Sequence, residues 1–63
     1  MYRLYYRQEG KRPEVYNTTR RRASRMIATL PTGTEWELYR KGLFSSQWRL
    51  ADYGVIRPTN VQL

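Results

Sequence analysis

Two hydrophobic periods alternate along the chain. From Tyr2 to Gln8, the residues Tyr2, Leu4 and Tyr6 alternate with Arg3, Tyr5 and Arg7, which is the spacing of a strand with one buried face. Glu9-Gly10-Lys11-Arg12-Pro13 predicts a turn, because Gly10 can take a positive φ and Pro13 cannot sit in a central strand. Glu14-Val15-Tyr16 then either returns as a short second strand or leads directly into a helix. For that helix Asn17 or Thr18 is the expected N-cap. Thr19, Ala23, Met26, Ile27 and Leu30 follow at i, i+4, i+7, i+8 and i+11 and form one apolar stripe at 100° per residue. Arg21, Arg25 and Ala28 fall on the opposite side, and Pro31-Thr32-Gly33 ends the element.

Alternation resumes in Glu35–Arg40 and again in Gln47–Tyr53, placing Trp36, Leu38, Trp48 and Leu50 on the expected apolar face. Opposed residues of a hairpin share a face, so paired positions must sum to an even number. A two-residue Lys41-Gly42 turn would pair 40 with 43 and turn one apolar side to water. The hairpin should therefore use an odd-length loop (Arg40-Lys41-Gly42 with Gly42 left-handed, or a wider loop through Ser45) or a bulge that resets the parity.

These elements predict an α+β fold: a small three- to four-stranded antiparallel sheet with one amphipathic helix packed on one face, in the order β(β)αββ. Counting the three main strands, a spatial order of second, third, first keeps every neighbour antiparallel. A single domain is expected over 1–56, with 57–63 as a frayed C-terminal tail, although Val55 and Ile56 are apolar enough to pack.

Composition narrows the function. Sixty-three residues allow one core near the lower size limit for a domain without disulfides or metals. The chain has no Cys and no His, which removes thiol nucleophiles, imidazole bases and the common zinc ligands. No phosphate-binding glycine loop is present. Glu35 and Glu37 would share a strand face, but an exposed face offers no pocket for acid–base work, so no enzyme activity, cofactor or metal is expected. The chain also lacks an apolar run long enough for a membrane span or a signal peptide, which leads to the expectation of a soluble, cytoplasmic protein without membrane attachment.

Net charge is +7 and is unevenly placed: residues 1–30 hold eight basic side chains against Glu9 and Glu14, whereas residues 31–63 hold four against three acidic ones. Most of the cations are Arg, whose planar fork suits phosphate and carboxylate. The densest cluster is Thr18-Thr19-Arg20-Arg21-Arg22, with Arg25 one turn on. Cations in a first helical turn oppose the helix dipole, and such repeated violations of a local rule tend to mark function. Thr18, Arg20, Arg21, Arg22 and Arg25 are therefore the main candidates for anion or nucleic-acid binding, and Lys11 and Arg12 in the turn are supporting contacts. A second candidate set is the sheet face away from the helix, where Arg3, Tyr5, Arg7 and Arg49 would lie with Tyr39 and Tyr53 to stack bases. Glu35 and Glu37 share that face and offset its attraction.

The leading expectation is a small basic nucleic-acid-binding protein, with duplex DNA favoured over RNA, contacting phosphates through an Arg-rich helix. The alternative is a small protein-interaction module, of the kind phage accessory proteins provide, that binds and modulates or inhibits an acidic or nucleic-acid-handling host protein.

Overall fold

A computed structural model describes residues 1–58. It contains β1 (Tyr2–Arg7), β2 (Glu14–Thr18), α1 (Arg20–Thr29), β3 (Glu35–Arg40) and β4 (Arg49–Val55), so the optional second strand is present. The strands form one antiparallel sheet in the order β2-β1-β3-β4, and α1 packs over β1. The expected tail lies outside the described residues from position 59 onward.

The expected strand order is corrected by the turn at Gly10. That residue takes φ +77°, Lys11 N–H donates to the Gln8 carbonyl at 3.0 Å, and β2 returns antiparallel along β1. Because β2 has already reversed the chain, the helical crossover delivers β3 antiparallel to β1 on its other side. No parallel pairing is needed, and β1, the strand with the clearest alternation, becomes central.

The core is small. Leu4 and Ala23 are fully buried, Leu38 and Tyr6 nearly so, and Tyr2, Met26, Ile27, Leu30 and Trp36 pack against them. Ala23 has a small side chain that lets the helix approach the sheet, and the predicted stripe is found at Ala23, Met26, Ile27 and Leu30. Thr19 departs from it. Its hydroxyl caps the helix by accepting the Arg22 N–H at 3.2 Å, so the cap lies one residue beyond the expected Asn17 or Thr18, both of which end β2. At the far end Gly33 takes φ +90°. The buried Thr34 hydroxyl donates to the Pro31 carbonyl at 2.7 Å. Gly33 N–H and Thr34 C=O then bracket Ile56 through two backbone bonds of 2.7 and 2.9 Å, which fixes the chain just past β4.

The β3–β4 pair meets the parity constraint in an unexpected way. The loop spans 41–48, eight residues, and Gly42 does not take a positive φ, so neither odd-length loop is formed and the bulge alternative holds. Next to the loop Arg40 faces Arg49 and Tyr39 faces Leu50; a bulge then shifts the register, and Leu38 faces Asp52 while Trp36 faces Gly54. Ala51 is the extra residue. Only beyond it does β4 align as expected, so the two residues before it are inverted. Leu50 lies on the open face, where it is 52% exposed, and Arg49 lies on the helix side. Trp48 is also removed from the core: the Arg3 guanidinium sits 4.3 Å from its ring centroid and the Lys41 ammonium 5.3 Å.

Trp36 does join the core edge, lying across Gly54, where an added β-carbon would stand 3.0 Å from the indole Cζ2. Gly54→Ala is therefore expected to lower the melting temperature despite alanine's smaller entropy loss, whereas Gly42→Ala, whose β-carbon meets nothing closer than 3.9 Å, leaves it unchanged. Leu4→Ala should cost about 2–5 kcal/mol, a large fraction of the total for a domain this small. Thermal melts of the three variants check both points; equal melting temperatures for the two glycine variants would exclude the close contact at Trp36.

Candidate nucleic-acid interface

Register brings together cations that are far apart in sequence. On the helix side, Thr18, Tyr2, Arg40 and Arg49 form a row across all four strands at the end where α1 begins. Arg20, the first helical residue, reaches over this row with its guanidinium 5.9 Å from the Tyr2 ring centroid. The Tyr2 phenol is lowered below its ordinary value of 10.0 chiefly by Arg20 and then, after the opposing effect of partial burial, by Arg40. A phenolate here would be one anion among several guanidinium groups. Lys41 follows Arg40 directly, and its backbone N–H bonds the Met1 carbonyl at 2.9 Å.

Arg21 and Arg25 point away from the sheet, one helical turn apart, and with Arg20 and Ser24 they line a shallow groove on the outer face of α1. Arg22 lies on the opposite flank from Arg20, its backbone N–H already bound to the Thr19 hydroxyl. The first turn holds no acidic residue. Among the described residues the one ion pair is Arg7–Glu35, at 2.8 Å on the other side of the sheet. Arg20, Arg21, Arg22, Arg25, Arg40 and Arg49 therefore have no carboxylate partner there.

Three of the five acidic side chains are held elsewhere, and Asp52, opposite Leu38 on the helix side, accepts the Tyr53 backbone N–H at 2.8 Å. Glu14 accepts the Tyr6 hydroxyl at 2.9 Å and the Tyr16 hydroxyl at 3.0 Å, below two stacked rings whose centroids are 5.9 Å apart. Glu35 takes Arg7, and Glu37 accepts the Tyr39 hydroxyl at 2.7 Å. Arg3 donates to the Asn17 amide oxygen at 2.9 Å and stacks on Trp48. Three of the four secondary candidates, Arg3, Tyr5 and Arg7, thus share the open face as expected, with Arg3 and Arg7 already engaged. The fourth, Arg49, is on the opposite face because of the bulge. Lys11 and Arg12 occupy the β1–β2 turn at the other end of the strands, roughly 17 Å from the start of α1 at 3.4 Å per residue, and do not join the helix cluster.

Arg40, Lys41 and Tyr2 were not singled out from sequence, since only the strand pairing carries Arg40 and Arg49 to the start of the helix. Among the described residues no group of three potential metal-ligating side chains occurs, and no helix is long and apolar enough to cross a membrane. No protein-family model matches the chain, and no curated protein or solved structure shows significant similarity to it.

The tyrosines provide a readout of this arrangement. Tyr6 is raised well above its ordinary value by burial and by its bond to Glu14, and Tyr39 is raised by Glu37, so Tyr2 should ionise before either. Tyr2→Phe is expected to remove a phase of a phenolate absorbance titration that precedes those of Tyr6 and Tyr39. A phenol raised on folding stabilises the fold fully below the unfolded value and loses that contribution as pH rises through the folded value. Stability should therefore decline above about pH 10, and Tyr6→Phe should flatten that decline in melts across the alkaline range; an unchanged slope in that variant would remove Tyr6 as its cause.

Proposed function

We propose that this protein binds nucleic acid, duplex DNA in preference to RNA, through phosphate contacts from Arg20, Arg21 and Arg25 on the helix and Arg40 and Arg49 at the adjoining end of the sheet. The observation that carries this reading is the assembly of these five guanidinium groups, none with a carboxylate partner among the described residues, at one end and on one outer face, while Glu14, Glu35 and Glu37 are engaged elsewhere. A solvated surface that served only solubility would gain nothing from segregating its charge. Arginine forks positioned without competing partners suit phosphate oxygens, and Arg22 and Thr18 flank the same surface. Recognition through phosphates gives weak sequence preference.

Binding to a short duplex should weaken steeply with salt, with a slope of about −4 to −5 in log K against log[salt] for five neutralised phosphates. Arg21→Ala with Arg25→Ala should reduce the slope by about 2, and Lys11→Ala with Arg12→Ala should leave it unchanged. Fluorescence anisotropy over a salt series measures all three. Duplex binding should also move the Tyr2 phenol back up, because the phosphates neutralise Arg20 and Arg40. A slope near zero excludes the reading.

The uncovered sheet face favours a second reading, a module that binds an acidic or nucleic-acid-handling protein. Val15, Leu50, Tyr53 and Val55 are each at least half exposed there, next to Arg3 and Arg7, a composition that suits a protein partner. The two readings diverge when a lysate is treated with nuclease before capture. A stoichiometric protein partner that survives treatment supports the second, and loss of every partner supports the first.

A further inference from the structure

At the tip of the β3–β4 loop, Leu43 and Phe44 are 94% and 102% exposed. They occupy the two central positions of a turn closed by Ser45 N–H bonding the Gly42 carbonyl at 3.3 Å. The base of the loop is held in place. Trp48 is stacked against Arg3 and Lys41 on the open face, Ser45 and Gln47 are bonded to each other, and Lys41 is tied to the first residue of the chain. A braced loop therefore presents two adjacent large apolar side chains to water, directly beyond Arg40, Lys41 and Arg49.

We infer that this loop is a wedge that inserts Phe44, with Leu43 beside it, between base pairs of a bound duplex and kinks it; the inference rests on the nucleic-acid reading above. Two placements support it. First, the loop that carries the apolar tip leaves the sheet between Arg40 and Arg49, with Lys41 at its start, which suits an occupant with polyanionic edges and a stacked apolar interior. Second, the cations without carboxylate partners among the described residues are divided between the end of the strands, with Arg40 and Arg49, and the outer face of α1, with Arg21 and Arg25. A duplex kinked at the tip can meet both, and architectural proteins offset the cost of unstacking in this way, by bending DNA onto more protein surface. Pyrimidine–purine steps, the easiest to unstack, are the preferred insertion sites.

The test uses the full chain with duplexes of about 20 base pairs, labelled at both ends for energy transfer and carrying 2-aminopurine beside a central TA step. Wild-type protein should shorten the end-to-end distance and brighten the aminopurine. Phe44→Ala should abolish both and weaken binding about tenfold, the loss expected for one base–aromatic contact, without changing the salt slope. Because Phe44 makes no packing contact, the variant should melt like the wild type, and Phe44→Trp should restore bending and unstacking. Steep salt-dependent binding with no bending, or bending indifferent to Phe44→Ala, overturns the wedge and leaves the phosphate reading intact. No duplex binding at any salt overturns both. Phe44-dependent binding to vesicles of anionic phospholipid, with no aminopurine change on the duplex, would assign the tip to membranes instead.

Discussion

One ten-residue helix must cover a four-stranded sheet, and it cannot. A helix is about 10 Å across and strands are spaced about 4.8 Å apart, so α1 shields about two strands on one face. The rest of the architecture follows from this shortage of cover. The core collapses to Leu4, Tyr6, Leu38 and Ala23 under the helix, and stability depends on side chains that fill space efficiently, such as the stacked Tyr6–Tyr16 pair bridged by Glu14 and the Trp36 indole laid over Gly54. Beyond the reach of the helix, apolar and aromatic residues remain in solvent on the open face, on β4 and at the loop tip.

That open surface is managed mainly by polar pairing. Arg7 with Glu35 and Arg3 with Asn17 tie adjacent strands across the uncovered face, Arg3 also stacks on Trp48 of the loop, and Tyr39 bonds Glu37 along β3. Exposed pairs of this kind are each worth well under about 1 kcal/mol. Their larger effect is on charge distribution, because they hold Glu35 and Glu37 on the open face, away from the arginines of the helix.

The elements themselves were legible because each combines a period with a stop: alternation bounded by Gly10 and Pro13, a helical stripe ended by Pro31 and Gly33. The α+β class followed from their order. Strand order was not legible, since it depended on whether Glu14–Thr18 pairs as a strand, and that depends on contacts with β1 that a local pattern does not contain. The faces of Trp48, Arg49 and Leu50 were misplaced for a related reason. Parity showed that an odd loop or a bulge was required, but the position of the extra residue is decided by how Gly54 accommodates Trp36 and how the wide loop closes, both tertiary matters. The candidate site was half legible: the arginine cluster stands out in one dimension, whereas Arg40 and Arg49 reach it only through pairing, and the exposure of Leu43 and Phe44 could not be told from burial by composition.

The surplus residue at Ala51 has an effect beyond orientation. β4 is an outer strand with free backbone groups along one side, and a long flat edge of that kind invites identical chains to zip onto it. By breaking the spacing of those groups two residues into the strand, the bulge leaves a second molecule only short mismatched stretches to pair with. A protein that exposes this much apolar sheet thereby has a local obstacle to polymerising through its outermost strand.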